Sequence, residues 1–152
     1  MNPSKLGSYF EEFIENEIIS HSLSKTIFES DNNLFSLLTM NHHPLHTNNE
    51  YAGNSQQGKI IVVGTLIFSI VVGMTVPDIS GKAIANLSYE NIIHLFPVYI
   101  GDTLYAKTKV LSKKESISKN DRGLVRVETT GYNQNNIPVI VFTRTVLIPK
   151  KL

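Results

Sequence analysis

The longest apolar stretch of the chain, Ile60 to Val76 (IIVVGTLIFSIVVGMTV), runs for seventeen residues without a charge. A helix that is apolar all round belongs either in lipid or at the centre of a fold wrapped by other elements. A membrane span needs about 20 apolar residues. This run is shorter, is broken by Gly64, Thr65, Ser69, Gly73 and Thr75, and ends at Pro77-Asp78. Its β-branched residues suit strand as well as helix, and its length favours helix. Beyond it, Ile84 to Phe96, Thr103 to Ser116, Gly123 to Asn133 and Val139 to Ile148 are rich in Val, Ile, Thr and Tyr, which predicts long strands. Turn residues separate them at Tyr99 to Asp102, Asn120 to Gly123 and Asn133 to Asn136.

Ahead of the run, residues 8–19 mix aromatics and acids without clean periodicity and read as a lead-in segment. Leu23 to Phe28 predicts a strand. Ser30 is the expected cap of a short helix containing Leu34, Phe35, Leu37 and Leu38, with Asp31 in its first turn. A polar loop follows, in which Pro44 disfavours helix at His43 and Asn48 caps a turn through Glu50 to Ala52. No repeat and no Pro/Gly/Ser linker divides the chain, so one domain over residues 1–152 is expected. The order predicts an α+β fold, an antiparallel sheet wrapped around one apolar helix. A membrane helix would leave one face of that sheet uncovered, so no membrane partner and a cytoplasmic location are expected.

Composition narrows the chemistry. A chain of 152 residues with 41% hydrophobic residues can bury a proper core without staples, and zero Cys removes disulfides, Cys-ligated zinc, iron–sulfur clusters and thiol nucleophiles. The acidic start of the chain, MNPSKLGSYFEEFIENE, is unlike a secretory leader. The net charge of +1 conceals an asymmetry, because residues 51–152 carry twelve Lys or Arg against six acids. Those bases include Lys107, Lys109, Lys113, Lys114, Lys119, Arg122 and Arg126, and they lack the interleaved aromatics of a nucleic-acid groove. Solvated strand faces account for most of them, and a few are available for the phosphates of a nucleotide-bearing ligand.

Five His residues stand at positions 21, 42, 43, 46 and 94, three of them within HHPLH. As metal ligands, His43 and His46 lack a third partner of clear spacing. As loop residues, they and Asn41, Asn48 and Asn49 simply meet water. As a catalytic group, Asn41 and His46 frame a reacting centre, with the N-terminus of the following helix supplying N–H donors. His94 reads as a hydrogen-bonded strand residue, His21 as solvated, Asp102 as part of a Gly-Asp turn, and Tyr51 and Phe35 as pocket or core residues.

The string Asn41-His42-His43-Pro44-Leu45-His46, followed by Ala52, resembles the hydratase motif of the MaoC-like and (R)-specific 2-enoyl-CoA hydratase family, G-D-x-N-P-L-H-x5-A. Gly64 stands at the spacing of that family's oxyanion-hole glycine, and Phe96-Pro97-Val98-Tyr99-Ile100-Gly101-Asp102 matches its F-P-V-x-x-G-D signature. The likeness runs from about Gly7 to Val146. It implies a hot-dog fold, a curved antiparallel sheet around a long central helix, and reversible addition of water to a 2-enoyl-CoA thioester. It also implies a homodimer and no cofactor. His46 is then the acid/base and the backbone N–H of Gly64 the oxyanion donor. The family's catalytic Asp falls on Asn41, its preceding Gly on Met40 and its Asn on His43. An amide orients water but exchanges no proton at neutral pH, which leaves His46 alone or partnered by Asp31 or His43. The T-M-N-x-H-P-L-H form, together with Glu29 to Phe35 as E-x-D-N-x-L-F, is similar to the branch that includes mesaconyl-CoA hydratase-type enzymes. A hot-dog thioesterase and a non-catalytic acyl-CoA-binding protein are the alternatives.

Overall fold

The computed structural model describes residues 6–151; the first residues of the acidic start lie outside them. Six antiparallel strands form the sheet: β1 (Ile18–Ser20), β2 (Lys25–Thr26), β3 (Ala85–His94), β4 (Thr103–Glu115), β5 (Arg122–Tyr132) and β6 (Pro138–Pro149). Their order is β1-β4-β5-β6-β3, with β2 also paired to β4. The four long strands lie where the alternation predicts them. Along β4, Leu104, Ala106, Thr108 and Val110 are buried while Tyr105, Lys107 and Lys109 are exposed, the period-2 signature of a sheet with one covered face.

The central helix, α4 (Gly64–Thr75), crosses the covered face. It approaches the sheet closely at Gly131, where an added Cβ would lie 2.8 Å from Val71 Cγ2 and 2.9 Å from Ile140 Cγ2. The apolar run and the helix differ at both ends. Residues 60–63 are not helical, and Ile61 pairs with Tyr99 in an isolated bridge. At the other end the helix does not stop at Pro77. It widens into a π-type turn, Val76–Ser80, closed by Gly81 N–H to the Val76 carbonyl at 2.7 Å. Widening accommodates a proline that lacks an N–H and would collide with the carbonyl one normal turn back.

Two apolar clusters line the sheet. Val63, Leu66, Ile67, Val71 and Met74 pack against Leu104, Ala106, Ile140 and Phe142. Phe10, Phe13 and Ile79 pack against Val110, Val125, Val127, Val146 and Ile148. Phe10 and Phe13 belong to the lead-in segment, which therefore folds as a 3₁₀ turn (Phe10–Glu12) and β1 rather than serving only as an approach to the fold.

The segment ahead of α4 departs from expectation. Only Lys25 and Thr26 of the predicted 23–28 strand are paired, because β4 offers them register for two residues. Helix α1 (Glu29–Thr39) is capped by Asp31, whose Oδ2 accepts the Phe28 N–H at 2.9 Å, and not by Ser30. Its Leu34, Leu37 and Leu38 are exposed, whereas Asn32 and Ser36 are buried. The HHPLH loop is largely helical: α2 (Pro44–Thr47) and α3 (Asn49–Gly53) are single short turns. Asn48 caps α3 as expected, its Oδ1 accepting the Tyr51 N–H at 2.9 Å.

Candidate functional site

Pro44 opens α2 because its fixed φ suits a first helical position, and the turn places His46 over the stretch leading into α4. The His46 Nδ1–H donates to the Ile61 carbonyl at 2.8 Å. A carbonyl can only accept, so this bond fixes the tautomer and leaves Nε2 with a free lone pair. Asn32, 2% exposed, locks the arrangement. Its amide donates to the His46 carbonyl at 3.1 Å, and its Oδ1 accepts the Val63 N–H at 2.9 Å. One buried side chain thus ties α1, α2 and the start of α4. Reasoning on the HHPLH string missed Asn32, although the E-x-D-N-x-L-F match contained it.

Val63 precedes α4, and Gly64 and Thr65 are its first residues. No acceptor for either N–H is found among the described residues, as expected for the first turn of a helix. An added Cβ at Gly64 would lie 2.9 Å from His94 Nε2, so a side chain there would displace the exposed His94 ring. His94 ends β3 without a side-chain hydrogen bond among the described residues, in contrast to the expected bonded strand residue. Its imidazole edge faces Gly64. A cleft of about 260 Å³ brings together His46, Ile61, Gly64, Ile67, His94 and Phe96.

The other expected site residues lie outside that lining. Asp31 is engaged by its cap and by Lys25 Nζ at 2.8 Å, and both partners hold its carboxyl below the usual carboxylate range, Lys25 foremost. His43 caps α2, its Nδ1 accepting the Leu45 N–H at 3.1 Å. Asn41 is half-buried between α1 and α2, with no hydrogen bond to its amide among the described residues. Met40 before it has φ 60°, the left-handed conformation that glycine tolerates best, which explains the Gly of the motif at this position. Asp102 holds its turn, accepting the Tyr99 N–H at 2.9 Å.

His21 is not solvated. It is 8% exposed, with Nδ1 at 2.7 Å from Asp78 Oδ2 and Nε2 at 2.7 Å from Thr108 Oγ1. Burial pushes its pKa below the ordinary histidine value. No group of three or more His, Cys, Asp or Glu able to hold a metal occurs among the described residues, and no helix there is long and apolar enough to cross a membrane.

A curved sheet of this order around one helix defines the hot-dog class. A Mycobacterium tuberculosis protein with a double hot-dog fold superposes with TM-score 0.85 at 18% identity, over 95% of this chain and 45% of that one. Sequence is more specific than fold here. The MaoC-like domain model matches residues 13–133, and the chain belongs to that family. It is 35% identical over 145 residues to mesaconyl-CoA hydratase of Cereibacter sphaeroides, covering 95% of this chain and 42% of that protein. A MaoC domain dehydratase from Chloroflexus aurantiacus superposes with TM-score 0.94 at 32% identity, over all of this chain and 43% of that one. The chain thus spans about two fifths of the length of these relatives.

Proposed function

We propose that the protein reversibly adds water to the double bond of a 2-enoyl-CoA thioester, methyl-branched substrates included. The observation that carries this reading is the pairing, across one cleft, of an imidazole nitrogen with a free lone pair and a helix N-terminus with unsatisfied N–H groups. His46 Nε2 takes a proton from water as the oxygen bonds to Cβ. The electrons move onto the thioester oxygen, where the Gly64 N–H meets the growing negative charge. A donor of this kind contributes about 3 kcal/mol of transition-state stabilisation, and the helix dipole adds to it. The His46 imidazolium then returns the proton to Cα, which balances the reaction without a cofactor. Asn41, which does not line the cleft, takes no proton in this scheme, and its amide is left without an assigned step. The Cereibacter relative's name, a hydratase of a CoA ester, supports the same reaction class.

A second copy completes the assembly in this reading. Strand β3 is one open edge of the sheet, the short β1 being the other, and Leu87, Ile93, Leu95 and Phe96 on and after it are exposed, as are Leu34, Leu37 and Leu38 of α1. Open apolar edges invite pairing, and the longer relatives have room for a second unit in one chain. The test is loss of enoyl-thioester absorbance when purified protein meets crotonyl-CoA or mesaconyl-CoA. Turnover that falls at least tenfold in Gly64→Ala, whose methyl crowds His94, is expected. Release of free thiol without hydration would overturn the assignment in favour of a thioesterase.

A further inference from the structure

Strand β3 carries an extra residue opposite β6 shortly before it ends. Tyr89 pairs with Arg144 and Glu90 with Thr143, after which the register slips, so that Ile93 pairs with Val141 and His94 with Ile140. The slip is a β-bulge, in which Asn91 has φ 52°, the left-handed conformation that asparagine adopts more readily than most residues. A slip of one residue sends every later side chain to the other face of the sheet. Residues paired across two strands share a face, and Arg144, Phe142 and Ile140 alternate along the covered face of β6. Tyr89 is therefore on the covered face, where its ring meets Phe68 of α4 edge-on at 5.1 Å. Unbroken alternation from Tyr89 would turn His94 outward. The bulge brings it to the side of Ile140, towards the helix.

There the ring meets the first residue of α4. His94 Nε2 and Cε1 lie 2.9 and 3.0 Å from the position a Cβ of Gly64 would occupy. A Cβ is about 2.5 Å from the backbone nitrogen of its own residue, so His94 Nε2 and the Gly64 nitrogen are at most about 5.4 Å apart. Two donors that close can both reach one oxygen at about 2.7–3.1 Å. Neither is engaged elsewhere: the Gly64 N–H has no acceptor and the His94 ring no hydrogen-bond partner among the described residues. Both open onto the cleft, whose other titratable side chain is His46 and whose lining holds no carboxylate.

We infer that His94 is a second oxyanion donor, a catalytic residue whose Nε2–H meets the thioester oxygen beside the Gly64 N–H. The inference rests on the hydratase reading for the seat of that oxygen at Gly64. A carbonyl oxygen can only accept, so it selects the His94 tautomer with hydrogen on Nε2. As the water oxygen bonds to Cβ, the electron pair of the double bond moves onto the thioester oxygen, and two hydrogen bonds shorten there. The proton released by water goes to His46 and from it to Cα, while the electron pair returns to form the new C–H bond. His94 keeps its own proton throughout.

The test uses two variants that separate N–H donation from proton exchange. His94→Gln places an amide N–H near the position of Nε2 and exchanges no proton, whereas His94→Phe keeps a ring with neither capacity. The native ring is exposed, so neither change empties the core. Steady-state hydration of crotonyl-CoA by His94→Phe is expected to fall about 10²-fold in kcat, the loss of one oxyanion donor, with KM little changed because the bond tightens in the transition state. His94→Gln is expected to recover most of that loss. The second readout is the carbonyl itself, by difference infrared spectroscopy of butyryl-CoA, isotope-labelled at the thioester carbon and without a double bond to hydrate. Its stretch is expected to move to lower frequency on binding to the native protein, and by less on binding to His94→Phe. Native kcat in His94→Phe, or an equal infrared shift in both proteins, would overturn the inference. A His94→Gln variant as slow as His94→Phe would also overturn it, because the ring would then be exchanging a proton. If the native protein binds butyryl-CoA but hydrates neither crotonyl-CoA nor mesaconyl-CoA, the hydratase reading fails, and the infrared comparison alone decides for or against His94.

Discussion

His21 and His46 lie at opposite ends of the central helix, and their ring nitrogens are engaged differently. His21, beside Asp78 where the helix ends, has a partner at both nitrogens; His46, beside Ile61 where the chain enters the helix, has one. A histidine with both positions filled holds elements together, and one with a single position filled is oriented and still reactive. Residue type and apolar neighbours do not separate the two, whereas the accounting of donors and acceptors does.

The largest expected effect would break this comparison if it failed. His46→Ala should lower kcat by about 10²- to 10⁴-fold, the range for a lost acid/base, and cost about 1 kcal/mol of stability for the bond to Ile61. His21→Ala should do the reverse, removing the histidine partner of Asp78 and one of the two partners of Thr108, which keeps Thr129, at a cost of about 1–3 kcal/mol while the folded protein keeps its kcat. Steady-state hydration and denaturant unfolding on both variants check the pair. Equal loss of kcat in both would dissolve the distinction.

Asn32 sharpens the comparison because it supports His46 from behind. Asn32→Leu strips the buried Val63 N–H and the His46 carbonyl of their partners, and should cost about 3 kcal/mol by denaturant unfolding. Asn32→Asp keeps an acceptor for Val63 but loses the donor to His46 and buries a carboxylate against its carbonyl, so a stability loss at least as large, with a fall in kcat, is expected.

These distinctions were legible in the sequence to different depths. The apolar run predicts the helix and the motif spacing places Gly64 at its start, because both are local patterns. The four long strands follow from alternation in the same way. The cap of α1 goes to Asp31 rather than Ser30 because a carboxylate three residues in can reach back to the Phe28 N–H. His21 reads as solvated because its partners are 57 and 87 residues away. Arg144 sits in a strand whose alternation is otherwise apolar, and only the folded sheet shows that its guanidinium has no hydrogen-bond partner among the described residues. His94 needs the close approach at Gly64, which no spacing in β3 reveals.

The pH dependence of stability tests the His21 half of the comparison. Desolvation lowers its folded pKa, opposed in part by Asp78 and aided by the positive charge of Arg144. The unfolded chain takes up this proton near pH 6.5, and the folded protein only at lower pH. Stability is therefore full above about pH 6.5 and falls as pH decreases below it, because the unfolded state then binds more protons. Melting temperature should drop between pH 7 and pH 5, before the carboxylates titrate. His21→Gln, which has no titrating group, should flatten that part of the profile.

The smallest effect concerns the approach to His46. Met40 is 81% exposed with φ 60°, so its side chain has little packing to lose and its backbone sits where a Cβ is disfavoured. A non-glycine residue in that conformation costs about 1–2 kcal/mol, and glycine gives back about 0.5–1 kcal/mol through the freedom of the unfolded chain. Met40→Gly should therefore stabilise the protein by less than about 1 kcal/mol, which for a chain of this size raises the melting temperature by about 1–3 °C. Because Met40 is not among the residues that line the cleft, kcat should stay within twofold. A stabilised variant with reduced kcat would mean that the strained turn helps to aim Asn41, and would move part of the catalytic geometry from His46 to the end of α1.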